Sequence, residues 1–281
     1  MRRFSSAVAV LTISVAAWAV AGPTVAAEHK AARDESGWIN LFDGKTLNGW
    51  ITKIVGYPAG EDPLETFRVQ DGTIVINYDK YGGDMKGRWA HLFFKQPFHA
   101  YHLSLEYKFF GEEMQPLRRT KWNSGVIYHT QSPQSMDLYQ PYPIGVEAQI
   151  LGNFNEIYRD GAQRMTASAC GLGTSLSRDG IVTDDCFKSS VPTTPNDRWT
   201  KFELEVLPDG RVRQYIDGVM NTWFDHVILE TSDDRFPSQK FIDAQGGNPL
   251  ITSGYFSLQS EGHPVAFRNI RIKLLSTDPA P

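Results

Sequence analysis

The clearest periodic signal runs from Tyr101 to Phe109. Tyr101, Leu103, Leu105, Tyr107 and Phe109 alternate with His102, Ser104, Glu106 and Lys108, and a period of two predicts a strand with one buried face. Phe67-Arg68-Val69-Gln70, then Asp71-Gly72, then Thr73 to Tyr78 predicts a hairpin, because Asp-Gly readily adopts the positive φ angles of a tight turn. The same dipeptide returns at Asp209-Gly210 and Asp217-Gly218. Phe202, Leu204 and Val206 form a strand face before the first of these, and Val212 and Ile216 lie beyond it. Residues 254–260 and 265–274 read as closing strands. In the last, the apolar phase switches from Val265 and Phe267 to Ile270 and Ile272, which predicts a bulge near Arg268-Asn269. Short strands separated by turns predict an all-β fold, a two-sheet antiparallel β-sandwich. Residues 224–243 suggest one short helical turn. Residues 153–198, poor in apolar periodicity, read as a long excursion attached to the sandwich.

Ahead of this pattern the chain changes character. Arg2 and Arg3 precede an apolar run over residues 7–20, and small residues at Val25-Ala26-Ala27 precede the charged Glu28-His29-Lys30. This predicts a cleavable export signal over residues 1–27, a flexible segment over 28–36 and one domain over 37–275. The expected location is periplasmic or secreted, with an uncleaved N-terminal anchor as the competing reading. No other segment is apolar enough to span a membrane, so no span is expected after cleavage. A chain of 281 residues with net charge −4 suits one large all-β domain and gives no ground for nucleic-acid binding. Cys170 and Cys186 are the two cysteines. In an oxidising compartment they are expected to pair; two buried free thiols, or metal binding, are the alternatives.

Three segments carry candidate chemistry. In Gly145 to Leu151, Glu147 and Gln149 share one strand face, opposite Val146, Ala148 and Ile150. In Trp122 to Gln131, Asn123, Gly125, Ile127 and His129 are expected on one face. Asn and Gly weaken a strand, so they call for a reason: a ligand approaching the backbone at Gly125, or a bulge. In Gly254 to His263, Gln259 faces away from Phe256 and Leu258, and Glu261 and His263 fall at the strand end or in the turn, where Glu with His nearby invites a metal or acid/base reading. A solvated face or turn competes with a site in each case. No P-loop, HExxH, GxSxG or CxxC occurs, so nucleotide, zinc-peptidase and serine-hydrolase chemistry lack support.

The stretch LFDGKTLNGW at Leu41 to Trp50 resembles the opening of the 3-keto-disaccharide hydrolase domain family, first defined as an uncharacterised domain. The likeness continues through Val69-Gln70-Asp71-Gly72, Asn123-Ser124-Gly125-Val126, Glu147-Ala148-Gln149 and VAFRNIRI at Val265 to Ile272. It implies a concanavalin A-like jelly roll with a sugar across one sheet, acting on glycosides whose C3 hydroxyl has become a ketone. A C3 ketone acidifies the C2 proton, so a base removes it, the C1 substituent leaves and water adds back. The matched blocks carry Glu147, Gln149 and Asn123; on this reading Glu147 is the candidate base or metal ligand, and His129, outside those blocks, a candidate acid/base or ligand. The same reading takes Asn123, Gln149 and Gln259 as hydroxyl binders and Trp122 as a stacking platform. A divalent metal ion holding the enolate oxygen and a partner sugar oxidoreductase that makes the ketone are further implications. A non-catalytic carbohydrate-binding module would use the same face. Residues 111–121 and 163–174 depart from shorter family members and are expected to shape the rim.

Overall fold

The computed structural model describes residues 34–112, 114, 122–153 and 163–275. The expected export signal at 1–27 and most of the 111–121 segment lie outside them. The strands in chain order are β1 (Ile39–Asn40), β2 (Trp50–Ile54), β3 (Phe67–Gln70), β4 (Thr73–Ile76), β5 (Ala90–Phe94), β6 (Tyr101–Phe109), β7 (Asn123–Thr130), β8 (Gly145–Leu151), β9 (Ser168–Leu172) and β10 (Thr174–Arg178). They continue as β11 (Ile181–Thr183), β12 (Cys186–Phe187), β13 (Thr200–Val206), β14 (Val212–Ile216), β15 (Val219–Phe224), β16 (His226–Leu229), β17 (Leu250–Ile251), β18 (Tyr255–Ser260) and β19 (Val265–Leu274). One helix, α1 (Ser238–Ala244), precedes β17.

Two large sheets form the sandwich, with strand orders β15-β14-β13-β6-β19-β4-β3 and β12-β9-β8-β7-β18-β5-β2; β1 also pairs with β19. A small third sheet has the order β11-β10-β16-β17. All the pairings are antiparallel, and the fold is an all-β sandwich of the jelly-roll kind.

Alternation builds the core. Leu103, Leu105, Tyr107, Phe202, Leu204, Phe267 and Ile272 from one sheet meet Val126, Tyr128, Val146, Ala148, Leu92 and Leu258 from the other. Each fully buried Leu or Phe contributes roughly 2–3 kcal/mol relative to exposure. A polar tie crosses this core. The Tyr128 hydroxyl donates to Gln214 Oε1 at 2.8 Å, and the side-chain amides of Gln214 and Asn221 donate to the Ala167 carbonyl at 2.8 and 2.7 Å. Buried polar atoms must be paired to be tolerated, so this tie also fixes how the sheets face each other.

The turn chemistry appears as expected at Asp71-Gly72 and Asp217-Gly218, where both residues have positive φ between directly paired strands. A third such turn, at Asp179-Gly180, joins β10 to β11. The β19 bulge lies between Arg268 and Arg271, with Asn269 at φ +53°. The helical turn is α1, although β16 occupies the earlier part of that stretch.

The 153–198 segment is not the attached excursion expected from its sequence. β9 is an interior strand of the seven-stranded sheet, between β8 and β12, and β10 and β11 enter the small sheet. Apart from Leu176, these strands bury small residues such as Ala169 and Ser175, which is why their period is faint. The Cys170–Cys186 disulfide is present and ties β12 to β9 where the two cysteines are directly opposed.

Candidate functional site

Residues directly opposite on neighbouring strands share a face. In the seven-stranded sheet Gly125 is opposite Gln149, Gln259 is opposite His91, and His91 is opposite Lys53. Glu147 is opposite Ile127 on one side and Cys170 on the other. These positions alternate with Val126, Val146, Ala148, Leu258 and Leu92, which enter the core. The face turned away from the core therefore carries Glu147, Gln149, Gln259, His91 and Lys53.

Gly125 explains itself here. A Cβ at this position would sit 2.7 Å from Glu147 Oε1 and 3.0 Å from Gln259 Oε1. The register with β8 runs unbroken through Gly125, so the glycine marks no bulge. It makes space for the Glu147 carboxyl to lie over the sheet beside Gln259.

The connection from β7 to β8 covers this face, and a small amide network shapes it. Gln140 Nε2 donates to Gln131 Oε1 at 2.9 Å and to the Tyr142 carbonyl at 2.7 Å; Gln131 Oε1 also accepts from the Ile144 amide at 3.0 Å. Lys53 anchors the other end. Its buried ammonium donates to the carbonyls of Ile54, Tyr57 and Leu138 at 3.2, 3.1 and 3.2 Å, which uses all three donors of an ammonium group. Beneath, Ile144 packs with Leu229 and Phe236 from the small-sheet region, and Tyr142 lies against this cluster.

The connection delivers the Tyr142 hydroxyl, which donates to Glu261 Oε1 at 3.0 Å. Asn123 Nδ2 donates to Glu261 Oε2. Two glutamates, the buried Glu147 and the half-buried Glu261, thus stand as a pair on one face. Burial first, and then the charge of Glu261, hold the Glu147 carboxyl well above the ordinary range; the Gln259 amide against it opposes the shift. Burial raises Glu261 to about 7, while the bonds from Tyr142 and Asn123 pull the other way. Desolvation disfavours a charged carboxylate and donated hydrogen bonds favour it, so Glu147 keeps its proton and Glu261 is the member that ionises near neutrality. Burial, and then the Glu261 charge, raise the Tyr142 hydroxyl far above its usual range, which keeps it a donor.

Several polar atoms around the pair have no hydrogen-bond partner: Glu147 Oε1, Asn123 Oδ1, both amide atoms of Gln259, Ser257 Oγ and His91 Nε2. Such buried atoms cost roughly 1–3 kcal/mol each when unsatisfied. Their clustering on one face gives the arrangement of donors and acceptors that a polyhydroxylated ligand would complete.

Glu147, Asn123, Gln149 and Gln259 fall on this face together. His129 does not join them by any hydrogen bond among the described residues. It sits where the β7–β18 register shifts, at φ +53°, with its ring 5.8 Å from that of Tyr128 and both ring nitrogens unpartnered. Burial, then the charge of His99, lowers its pKa to about 4, so it is a neutral buried ring at a bulge. Trp122 lies with its ring 5.9 Å from Phe109 and 6.4 Å from His263. The tryptophan that meets Tyr142, at 5.7 Å, is Trp89. Among the described residues no group of three or more His, Cys, Asp or Glu is placed to hold a metal ion.

Tyr142 and His91 were not singled out from sequence, and Glu261 was read only together with His263, as a metal or acid/base pair or a solvated turn. Tyr142 sits in the proline-flanked run Gln140-Pro141-Tyr142-Pro143, which has no period to read. His91 did leave a trace, as the one polar residue in the otherwise apolar run Ala90-His91-Leu92-Phe93-Phe94.

Residues 37–273 match the 3-keto-alpha-glucoside-1,2-lyase-like domain family, and the chain belongs to that family. A 3-keto-disaccharide hydrolase of Bacteroides thetaiotaomicron is 26% identical over 262 residues, covering 86% of this chain and 80% of that protein. Among solved structures, a candidate glycosyl hydrolase from Parabacteroides distasonis is similar at 21% identity with a TM-score of 0.49, covering 86% of this chain and 95% of the other. A carbohydrate-binding module from Bacillus subtilis is similar at 8% identity and a TM-score of 0.46, covering 79% and 94%.

Proposed function

We propose that this protein cleaves glycosides whose C3 hydroxyl has been oxidised to a ketone, using Glu261 as base and Glu147 as acid. The observation that carries the reading is the unequal support of the two paired carboxyls. One accepts two hydrogen bonds and ionises near pH 7; the other is held protonated. Paired groups whose environments separate their proton affinities are the hallmark of acid/base division of labour.

Ionised Glu261 takes the C2 proton. The C2–H electron pair becomes the C2=C3 bond, and the carbonyl π pair moves onto the C3 oxygen. When that pair returns, C1=C2 forms and the C1–O bond breaks, the departing oxygen taking the Glu147 proton. Water then adds across C1=C2, hydroxyl to C1 and hydrogen to C2, which completes a net hydrolysis. The route differs from ordinary glycosidases, which place two carboxyls on either side of an oxocarbenium-like centre. Membership of a 1,2-lyase-like family and likeness to a relative named for 3-keto-disaccharides support this choice of substrate.

The test compares a 3-keto-disaccharide with the same sugar unoxidised. Cleavage of the ketone alone is expected. Binding of both without turnover would favour a non-catalytic sugar-binding module, which the unpartnered amides of Asn123 and Gln259 would also suit.

We also propose that the chain is exported to the periplasm or beyond, a reading supported by the signal-like residues 1–27 and by the disulfide. Its substrate must then come from a reaction that oxidises a sugar at C3, the work of a partner oxidoreductase.

A further inference from the structure

We infer that His91 is a further catalytic residue, a neutral imidazole that donates a hydrogen bond to the C3 oxygen as negative charge gathers there. The inference rests on the proposed reaction, which creates an oxyanion at C3 and needs a group to hold it. Asn123 Nδ2 and the Tyr142 hydroxyl are both committed to Glu261, so neither can serve the oxyanion without releasing the base. The unpartnered Gln259 amide, the Ser257 hydroxyl and His91 remain.

His91 is tied to both carboxyls by one residue each. It is directly opposite Gln259, whose amide crowds the same point over Gly125 as the Glu147 carboxyl. Its ring lies 6.0 Å from the Tyr142 ring, edge to face, and Tyr142 holds Glu261. His91 is 1% exposed, and its Nε2 has no partner. A histidine kept only for packing between Phe93 and Tyr142 would leave this polar atom buried at a cost; a substrate oxygen satisfies it.

The ring's charge state also suits the task. Burial, then the charge of Lys53 beside it on the sheet, lowers its pKa to about 3. Lys53 cannot turn toward the site, because three backbone carbonyls hold its ammonium. An imidazolium could lose its proton to the oxyanion instead of holding it by a hydrogen bond. A neutral ring with its hydrogen on Nε2 donates and keeps that hydrogen, the way a neutral histidine polarises a carbonyl in other enolising enzymes.

The experiment follows a 3-keto-glucoside bearing a 4-nitrophenol leaving group, in heavy water. Nitrophenolate release and deuterium uptake at C2 are read separately, in wild type and in His91→Gln. Wild-type turnover settles the underlying reaction on its own. Given that turnover, His91→Gln is expected to lower C2 exchange and release together by about 10²–10³-fold, the usual effect of removing one oxyanion donor. The Glu261 limb of its pH profile should stay in place. Exchange within about threefold of wild type, whether or not release falls, would overturn the proposal. A measurement on the unaltered protein guards against a misfolded variant. A sugar carrying a C3 nitro group forms a nitronate, an enolate mimic, and its binding should move a histidine Nε2–H proton signal downfield. Nitronate binding that leaves every histidine N–H signal unmoved would overturn the assignment.

Discussion

Tyr142 donates its hydroxyl hydrogen to Glu261 at 3.0 Å. Both oxygens of Glu261 accept bonds, from Tyr142 and Asn123, whereas Oε1 of the neighbouring Glu147 accepts none. That inequality sets which glutamate ionises first. Tyr142→Phe removes one donor from the charged form, and a hydrogen bond to a charged group is worth about 1.5–3 kcal/mol. The Glu261 pKa should rise by about 1–2 units. Activity that depends on ionised Glu261 climbs with pH through about 7 in the wild type, so the climb should move to higher pH in the variant. A kcat/KM profile against pH reads this directly, and an unmoved limb would contradict it.

The same pair makes stability fall as pH rises. A carboxyl whose folded pKa is raised binds its proton more tightly in the folded state. Its contribution is complete below the unfolded value near 4.5 and is lost as pH climbs through about 7. The loss for Glu261 is on the order of 3 kcal/mol. Glu261→Gln removes one of the two raised carboxyls and leaves Glu147, so its urea midpoint should still fall, but by less than the wild type's, between pH 5 and pH 9. Its turnover should fall by about 10²–10⁴-fold, the range for a lost general base.

His129 acts at the opposite end of the pH scale. Its folded pKa of about 4 lies below the ordinary 6.5, so its contribution is present above 6.5 and is lost as pH falls toward 4. Asn tolerates the left-handed backbone at this position, φ +53°. His129→Asn should flatten the acid side of the stability curve and keep near-wild-type turnover at pH 7. A loss of turnover comparable to that of Glu261→Gln would return His129 to the site.

Gly125→Ala places a methyl 2.7 Å from Glu147 Oε1. The backbone there is an ordinary strand, so the penalty is one of space alone. Overpacking costs about 1–3 kcal/mol, and relief requires the Glu147 carboxyl to move. A fall in kcat/KM of at least about tenfold is expected, since a misplaced reacting group forfeits much of its orientation advantage. Wild-type kcat/KM in this variant would mean that the carboxyl's position is not critical.

The sandwich was legible because its long strands alternate and its turns carry Asp-Gly. β6, the β3–β4 hairpin and the β19 bulge all follow from Tyr101 to Phe109, Asp71-Gly72 and the phase switch after Phe267. β9 and β10 were hidden because alanines and serines give a strand no hydrophobic contrast. The polar face was half legible. Glu147, Gln149, Gln259 and Asn123 could be placed by period two. The bulge at His129 broke that rule, because one residue at positive φ turns a side chain off its expected face. Tyr142 reaches Glu261 from 119 residues away in sequence, through a connection shaped by Gln131, Gln140 and Lys53, and no local pattern encodes such a meeting.

The most direct measurement of the central claim is turnover of a 3-keto-disaccharide in heavy water, quenched early and read by mass and proton NMR. If Glu261 removes the C2 proton before the C1–O bond breaks, the released 3-keto sugar carries one deuterium at C2, and Glu261→Gln gives neither label nor cleavage. Rapid cleavage that leaves the original hydrogen at C2, or cleavage undiminished in Glu261→Gln, would contradict the account.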